Sequence, residues 1–124
     1  MSIPKNELKQ RMENQRWNAE SNIISIVETD IPCLVANKRF SSKITIDRGE
    51  YNISTPTLFV NFYKDNGERV DIKNEDLITV WFAEDTMRMN EKKYRAKQVE
   101  NPASQNDHLE IILEDFSFAG ENNG

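Results

Sequence analysis

The chain has 124 residues, 37% of them hydrophobic and 30% charged, with a net charge of −5; this is the size of one domain, because two would each fall where a core becomes marginal. Its 21 acidic residues outnumber the 16 basic ones, which excludes the general basic excess that phosphate backbones attract and leaves room only for a local basic patch. The longest apolar runs, such as Leu58-Phe59-Val60 and Ile111-Ile112-Leu113, are far short of the roughly 20 residues that cross a bilayer as a helix, so neither a membrane span nor a signal peptide is expected.

Residues 1–21 read as an amino-terminal helical arm. Ser2 suits an N-cap, Pro4 a first helical turn, and Glu7, Lys9, Gln10, Arg11, Met12, Glu13 and Gln15 are fair helix formers, which predicts one helix over about residues 4–20. Its apolar stripe is thin. Leu8 and Met12 stand one turn apart, Ala19 falls seven residues beyond Met12, and Trp17 lies off that line. Two readings stay open: a frayed polar helix, or an arm that docks on a neighbouring subunit through Leu8, Met12 and Trp17.

From Asn22 to Phe118 the pattern is that of a β domain. Ile23 to Glu28 is rich in branched residues, and Asp30-Ile31-Pro32 interrupts it before Cys33-Leu34-Val35-Ala36, which predicts a bend or an edge at Pro32. Lys43 to Asp47 alternates. Together with its flanks it belongs to a polar excursion between Ala36 and Thr57, longer than an ordinary hairpin loop, and such excursions from small barrels are common places for binding. Thr57 to Tyr63 follows as a strand with Leu58, Val60 and Phe62 on one face, and Asp65-Asn66-Gly67 then supplies residues that tolerate positive φ in a tight turn. Val70 and Ile72 form a short strand or anchor the approach to residues 77–82, which are apolar at nearly every position and so are expected to be covered on both faces. Lys93 to Val99 carries Tyr94 and Ala96 inward; His108 to Asp115 carries Leu109, Ile111 and Leu113 inward. Residues 119–124 form a polar tail. The expected fold is therefore mainly β, a small antiparallel barrel or sandwich of six to seven strands with an amino-terminal α-helix.

Catalytic chemistry finds little to work with. His108 is the sole histidine; on a strand it shares a face with Glu110, but one imidazole and scattered carboxylates do not make a zinc site, and a solvent-facing strand-entry role is the simpler reading. Cys33 has no partner for an intrachain disulfide, fits a reducing cytoplasm, and in an apolar strand behaves as a small hydrophobe. Asp71, Glu75, Asp76, Glu84 and Asp85 lack the alternation and glycine of a calcium loop and read as solvated turn positions. No enzyme activity, metal or cofactor is expected. One basic cluster remains: Lys38, Arg39, Lys43 and Arg48, with Phe40 among them and Tyr51 close behind. It reads as an interface that pairs with the acidic surface of a neighbouring copy, as a solvated loop, or as a strip that touches nucleic acid.

Four segments of the chain, Leu58-Phe59-Val60, residues 72–78 (IKNEDLI), residues 93–99 (KYRAKQV) and residues 108–113 (HLEIIL), together with Ile31-Pro32-Cys33-Leu34-Val35 upstream, resemble the head-tail connector proteins of tailed phages, specifically the small head-completion or head-closure family. The likeness spans about residues 30–115. It departs from the family's turn at Glu75, where a glycine commonly precedes the acidic residue. The resemblance implies a virion protein, made in the host cytoplasm, that assembles as a homo-oligomeric ring at the head-tail interface. Such a ring joins a portal or adaptor protein to tail-side connector proteins, helps retain the genome, and lets DNA pass through its lumen without sequence-specific binding. The excursion over residues 37–56 would then reach into the lumen or a neighbour. The alternative is a small nucleic-acid-binding barrel that uses the basic-aromatic segment 38–51.

Overall fold

The computed structural model of the chain describes residues 3–46 and 49–115, with the backbone alone at Lys5, 37–46 and 49–55. Six strands carry the fold: β1 (Gln10–Asn18), β2 (Ile23–Ile46), β3 (Gly49–Asn61), β4 (Leu77–Phe82), β5 (Lys92–Glu100) and β6 (His108–Asp115). They close into an antiparallel barrel in the order β1-β2-β3-β6-β5-β4, sealed by pairing of β1 with β4. Closure leaves no edge strand within the barrel itself. Among the described residues the only helical pieces are two 3-10 turns, Lys5–Glu7 and Pro102–Ser104.

The expected amino-terminal helix is therefore corrected: most of its residues form β1, a stave of the barrel. Alternate positions of β1 face inward, and these are Met12, Asn14 and Arg16; Trp17 faces out. Because the inward set includes an amide and a guanidinium, the strand shows no apolar alternation, while its good helix formers imitate a helix. Met12 belongs to the core and Leu8 is buried just before the strand, so both are committed within their own domain; Trp17, at 56% exposure, stays available.

Two bulges shape the pairing of β1 with β2. Between Met12 opposite Ile31 and Asn14 opposite Glu28, β2 uses one residue more than β1; between Asn14 opposite Glu28 and Gln15 opposite Ile26 it does so again. The first coincides with Asp30, whose φ of 54° is a left-handed conformation, and keeps Glu28 turned inward. The second turns Ile26 and Ile24 outward beside Trp17.

The core is filled as the apolar alternation of the later strands requires. Leu58 and Val60 of β3, Ile78 and Val80 of β4, Tyr94 and Ala96 of β5, and Leu109, Ile111 and Leu113 of β6 all point inside. The outer side of β4 is covered as well, since the guanidinium of Arg88 lies 3.9 Å from the centroid of the Trp81 ring. Phe62, Val70 and Ile72 close one barrel end, on either side of the turn at Gly67, where φ is 87°.

Residues 37–46 and 49–55 correct the expectation of a polar loop. They continue β2 and β3 as a two-stranded ribbon, with Asn37 opposite Pro56, Ser42 opposite Tyr51 and Ile46 opposite Gly49. The described ladder of β3 with β6 covers residues 57–61, and that of β2 with β1 covers residues 23–33. The ribbon thus projects beyond the barrel rows. Truncating Met12, which is fully buried, is expected to cost about 2–5 kcal/mol in urea unfolding (Met12→Ala), whereas Trp17→Ala is expected to change stability by only about 0.5 kcal/mol; a helical arm would give comparably small effects for both.

Candidate functional site

The two barrel ends differ in construction. At one end lie the β1–β2 turn, residues 62–76 and the loop before β6; at the other lie the projecting ribbon and the loop over residues 83–91.

A polar network locks the first end. Asp76, only 2% exposed, accepts hydrogen bonds from Asn14 Nδ2 (2.9 Å), Arg16 Nε (2.9 Å), Arg16 Nη2 (2.8 Å) and the Lys73 amide (2.8 Å). Arg16 also forks onto Asp71 at 2.9 and 3.2 Å, and Asn14 donates to the Asp71 carbonyl at 2.8 Å. Glu28, buried on β2, accepts from Lys64 Nζ at 2.9 Å and from the Asp71 amide at 2.8 Å. The segment over residues 62–76 is thereby stitched to both β1 and β2. This corrects the reading of Asp76 as a solvated turn residue, since it is a buried acceptor; Asp71 is exposed as expected and pairs with Arg16. Arg16 holds the Asp71 carboxyl below its ordinary pKa, and the two carboxylates hold the guanidinium charged.

Of the other acids, Asp85 serves its own turn and Glu75 reaches β5. Asp85 accepts from the amides of Met89 and Asn90, and Glu75 pairs with Lys97 at 3.2 Å. Among the described residues no group of three or more His, Cys, Asp or Glu side chains is placed to hold a metal ion. His108 Nε2 lies 3.0 Å from Glu110 Oε2 and its ring is tilted against Phe59, on the partly exposed outer wall. The Cys33 thiol is fully buried, and that burial pushes its pKa up, away from the thiolate form a nucleophile needs. A groove of about 380 Å³ runs over Pro32 between Arg11, Tyr63, Lys64 and Asn66.

The residues singled out as an interface divide between places. Lys38 stands opposite Thr55, Arg39 opposite Ser54, Phe40 opposite Ile53 and Tyr51 opposite Ser42 on the ribbon backbone; Lys43 lies in the β2 arm of the ribbon. Arg48 is outside the described residues, as are residues 116–118 of the expected domain and the tail at 119–124. The ribbon thus brings Lys38, Arg39, Phe40, Lys43 and Tyr51 together on one projecting element. Trp17 is at the opposite barrel end. There it pairs with Ile24 across the ladder, and its indole N–H donates to Asn22 Oδ1 at 3.1 Å. Sequence reasoning did not single out Ile24 and Ile26, which the second bulge exposes.

Two measurements test this site. The Asp71 pKa is lowered on folding, so the stability it contributes is complete above its unfolded value of about 4 and disappears as pH falls through the lower folded value; thermal unfolding between about pH 5 and pH 2 is expected to show a weaker acid dependence in Asp71→Asn than in the parent. Cys33 is expected to resist iodoacetamide in the folded chain and to react on unfolding in urea, as mass spectrometry of the alkylated protein would register. Compared with protein-family models, with curated proteins and with solved structures, the chain matches none.

Proposed function

We propose that this chain is a structural part of a tailed-phage head-tail connector: a ring-forming virion protein that joins the portal or its adaptor to tail-side proteins and helps retain packaged DNA. The observation that carries the reading is the division of labour within one chain, a closed barrel as rigid body and a two-stranded ribbon projecting from one end of it. The segments that resemble the connector family lie mainly on barrel staves: residues 31–35 on β2, 58–60 on β3, 93–99 on β5 and 108–113 on β6. Residues 72–78 run from the stitched barrel end into β4. In a ring, the ribbon reaches into the lumen or onto the adjacent subunit. A net charge of −5 repels a passing duplex, so DNA moves through the lumen without sticking. The protein works without cofactor or catalysis, and its place is the head-tail interface of the virion.

One observation favours a second reading, that of a nucleic-acid-binding barrel. Lys38, Arg39, Phe40 and Tyr51 stand on paired backbone, as they do in proteins that read nucleic acid with a β-ribbon.

Mixing the chain with portal or adaptor protein separates the two. The connector reading expects co-purification in rings visible by electron microscopy; a chain that stays monomeric and binds no virion component overturns it. The nucleic-acid reading expects binding to single-stranded DNA at low salt, weakened steeply by added salt and at least about tenfold by Lys38→Glu with Arg39→Glu.

A further inference from the structure

Asparagine followed by glycine is a chemically labile junction, because the glycine amide nitrogen can attack the asparagine side-chain carbon with no β-carbon in its way. The sequence has two such pairs, Asn66-Gly67 and Asn123-Gly124. Asn66-Gly67 lies within the described residues, in the exposed turn that leads from Tyr63 back to Arg69. Gly67 has a φ of 87° there. Lys64 bonds across the turn twice: its amide donates to the Glu68 carbonyl at 2.7 Å, and its carbonyl accepts from the Gly67 amide at 2.9 Å.

The Asn66 side chain is held at both atoms of its amide. Oδ1 accepts from the Glu68 amide at 3.0 Å, and Nδ2 donates to Glu68 Oε1 at 2.8 Å. The nitrogen that would attack is therefore engaged as a donor to Lys64, and the carbon that would be attacked is held toward Glu68. Lys64 is itself tied to β2, its Nζ lying 2.9 Å from Glu28 Oε1, so the turn is fastened to the barrel wall.

We propose that Asn66 is a self-modification site gated by the fold: shielded while the turn is closed, and converted to a succinimide by the Gly67 nitrogen once the turn opens. In that step the Gly67 amide gives its proton to solvent as its nitrogen bonds to Cγ of Asn66. The Cγ–Nδ2 bond breaks, and the side-chain nitrogen takes up a proton and leaves as ammonia. Water then adds to either ring carbonyl and opens the ring, which leaves an aspartyl or an isoaspartyl residue at position 66. No electrons are exchanged, and water is the co-reactant.

Either product works against closure. A carboxylate replaces the amide that donated to Glu68 Oε1, which sets like charges side by side. The isoaspartyl form also routes the main chain through the β-carbon and adds one atom to it inside the span that Lys64 bridges. An opening of the turn is thus recorded chemically, at a residue that lines the groove over Pro32.

The test incubates the full-length chain in mildly alkaline buffer, native and in guanidinium chloride, and follows conversion at Asn66 by mass spectrometry. Trypsin, cutting after Lys64 and Arg69, releases residues 65–69 apart from Asn123. Conversion is expected to be at least about tenfold slower in the native chain, since only the opened fraction reacts. Glu68→Ala, at an exposed position, removes the acceptor that holds Nδ2. With a native circular dichroism spectrum confirmed, this variant is expected to react several-fold faster than the parent in native buffer and at the parent's rate in denaturant. A native rate equal to or above the unfolded one overturns the gate, as does a Glu68→Ala chain that reacts natively no faster than the parent. Absence of conversion in denaturant overturns the site. The converted chain, returned to native buffer, is expected to lose hydrogen-exchange protection at the Lys64 and Gly67 amides; full protection there overturns the chemical record.

Discussion

A carboxylate withdrawn from water costs several kcal/mol unless donors replace its hydration. Asp76 meets that demand with a guanidinium, a side-chain amide and a backbone N–H, and the donors come from β1 and from its own turn. The arrangement works in both directions. Asn14, fully buried on a strand with little apolar surface, has its amide hydrogens satisfied by Asp76 and the Asp71 carbonyl. The hydrophobic effect gives β1 little beyond Met12, so its place between β2 and β4 rests on the two ladders and on this carboxylate. With Glu28 and Lys64 completing the stitching, Val70 and Ile72 are held over the barrel end, and the core is sealed from water there.

What could be read from the sequence follows from which side chains face inward. β3, β4, β5 and β6 bury apolar residues at alternate or successive positions, so Leu58, Val60, Ile78, Val80, Tyr94, Ala96, Leu109, Ile111 and Leu113 were legible as core. β1 was not, because its interior face is written as Met, Asn and Arg and its meaning lies in Asp76, some sixty residues away in the chain. The ribbon was misread for a different reason. Its sequence is mostly polar and alternates only over residues 43–47, so a long polar stretch read as a loop. The outward turn of Ile24 and Ile26 was hidden too, since bulge positions depend on register with a strand that itself carried no signal.

The candidate functional elements are consequently gathered at the ends of the barrel. The ribbon projects from one of them, and the exposed apolar side chains stand on the Met87–Met89 loop and the Trp17–Ile24–Ile26 face. This separation lets those positions change without disturbing the core, whose packing is set by other positions. The groove over Pro32 opens beside the stitched end, lined in part by Tyr63, Lys64 and Asn66, and the His108–Glu110 pair lies on the outer wall.

The seal between β1 and β4 also dictates an order of events during folding. Gln10 must find Phe82 across all of β2, the ribbon, β3 and the stitched segment, whereas the β1–β2, β2–β3, β4–β5 and β5–β6 pairs are neighbours in the chain. Loop-closure entropy favours the neighbouring hairpins first, so the sheet stays open until the seam between β1 and β4 closes. In that interval β4 presents an unpaired edge with Ile78 and Val80 uncovered, and the ladder groups that later receive β1 are free to receive another chain instead. The last ladder to form is thus the seam rather than any hairpin, and it joins the amino-terminal hairpin to β4 at the end where Asp76 binds Asn14 and Arg16.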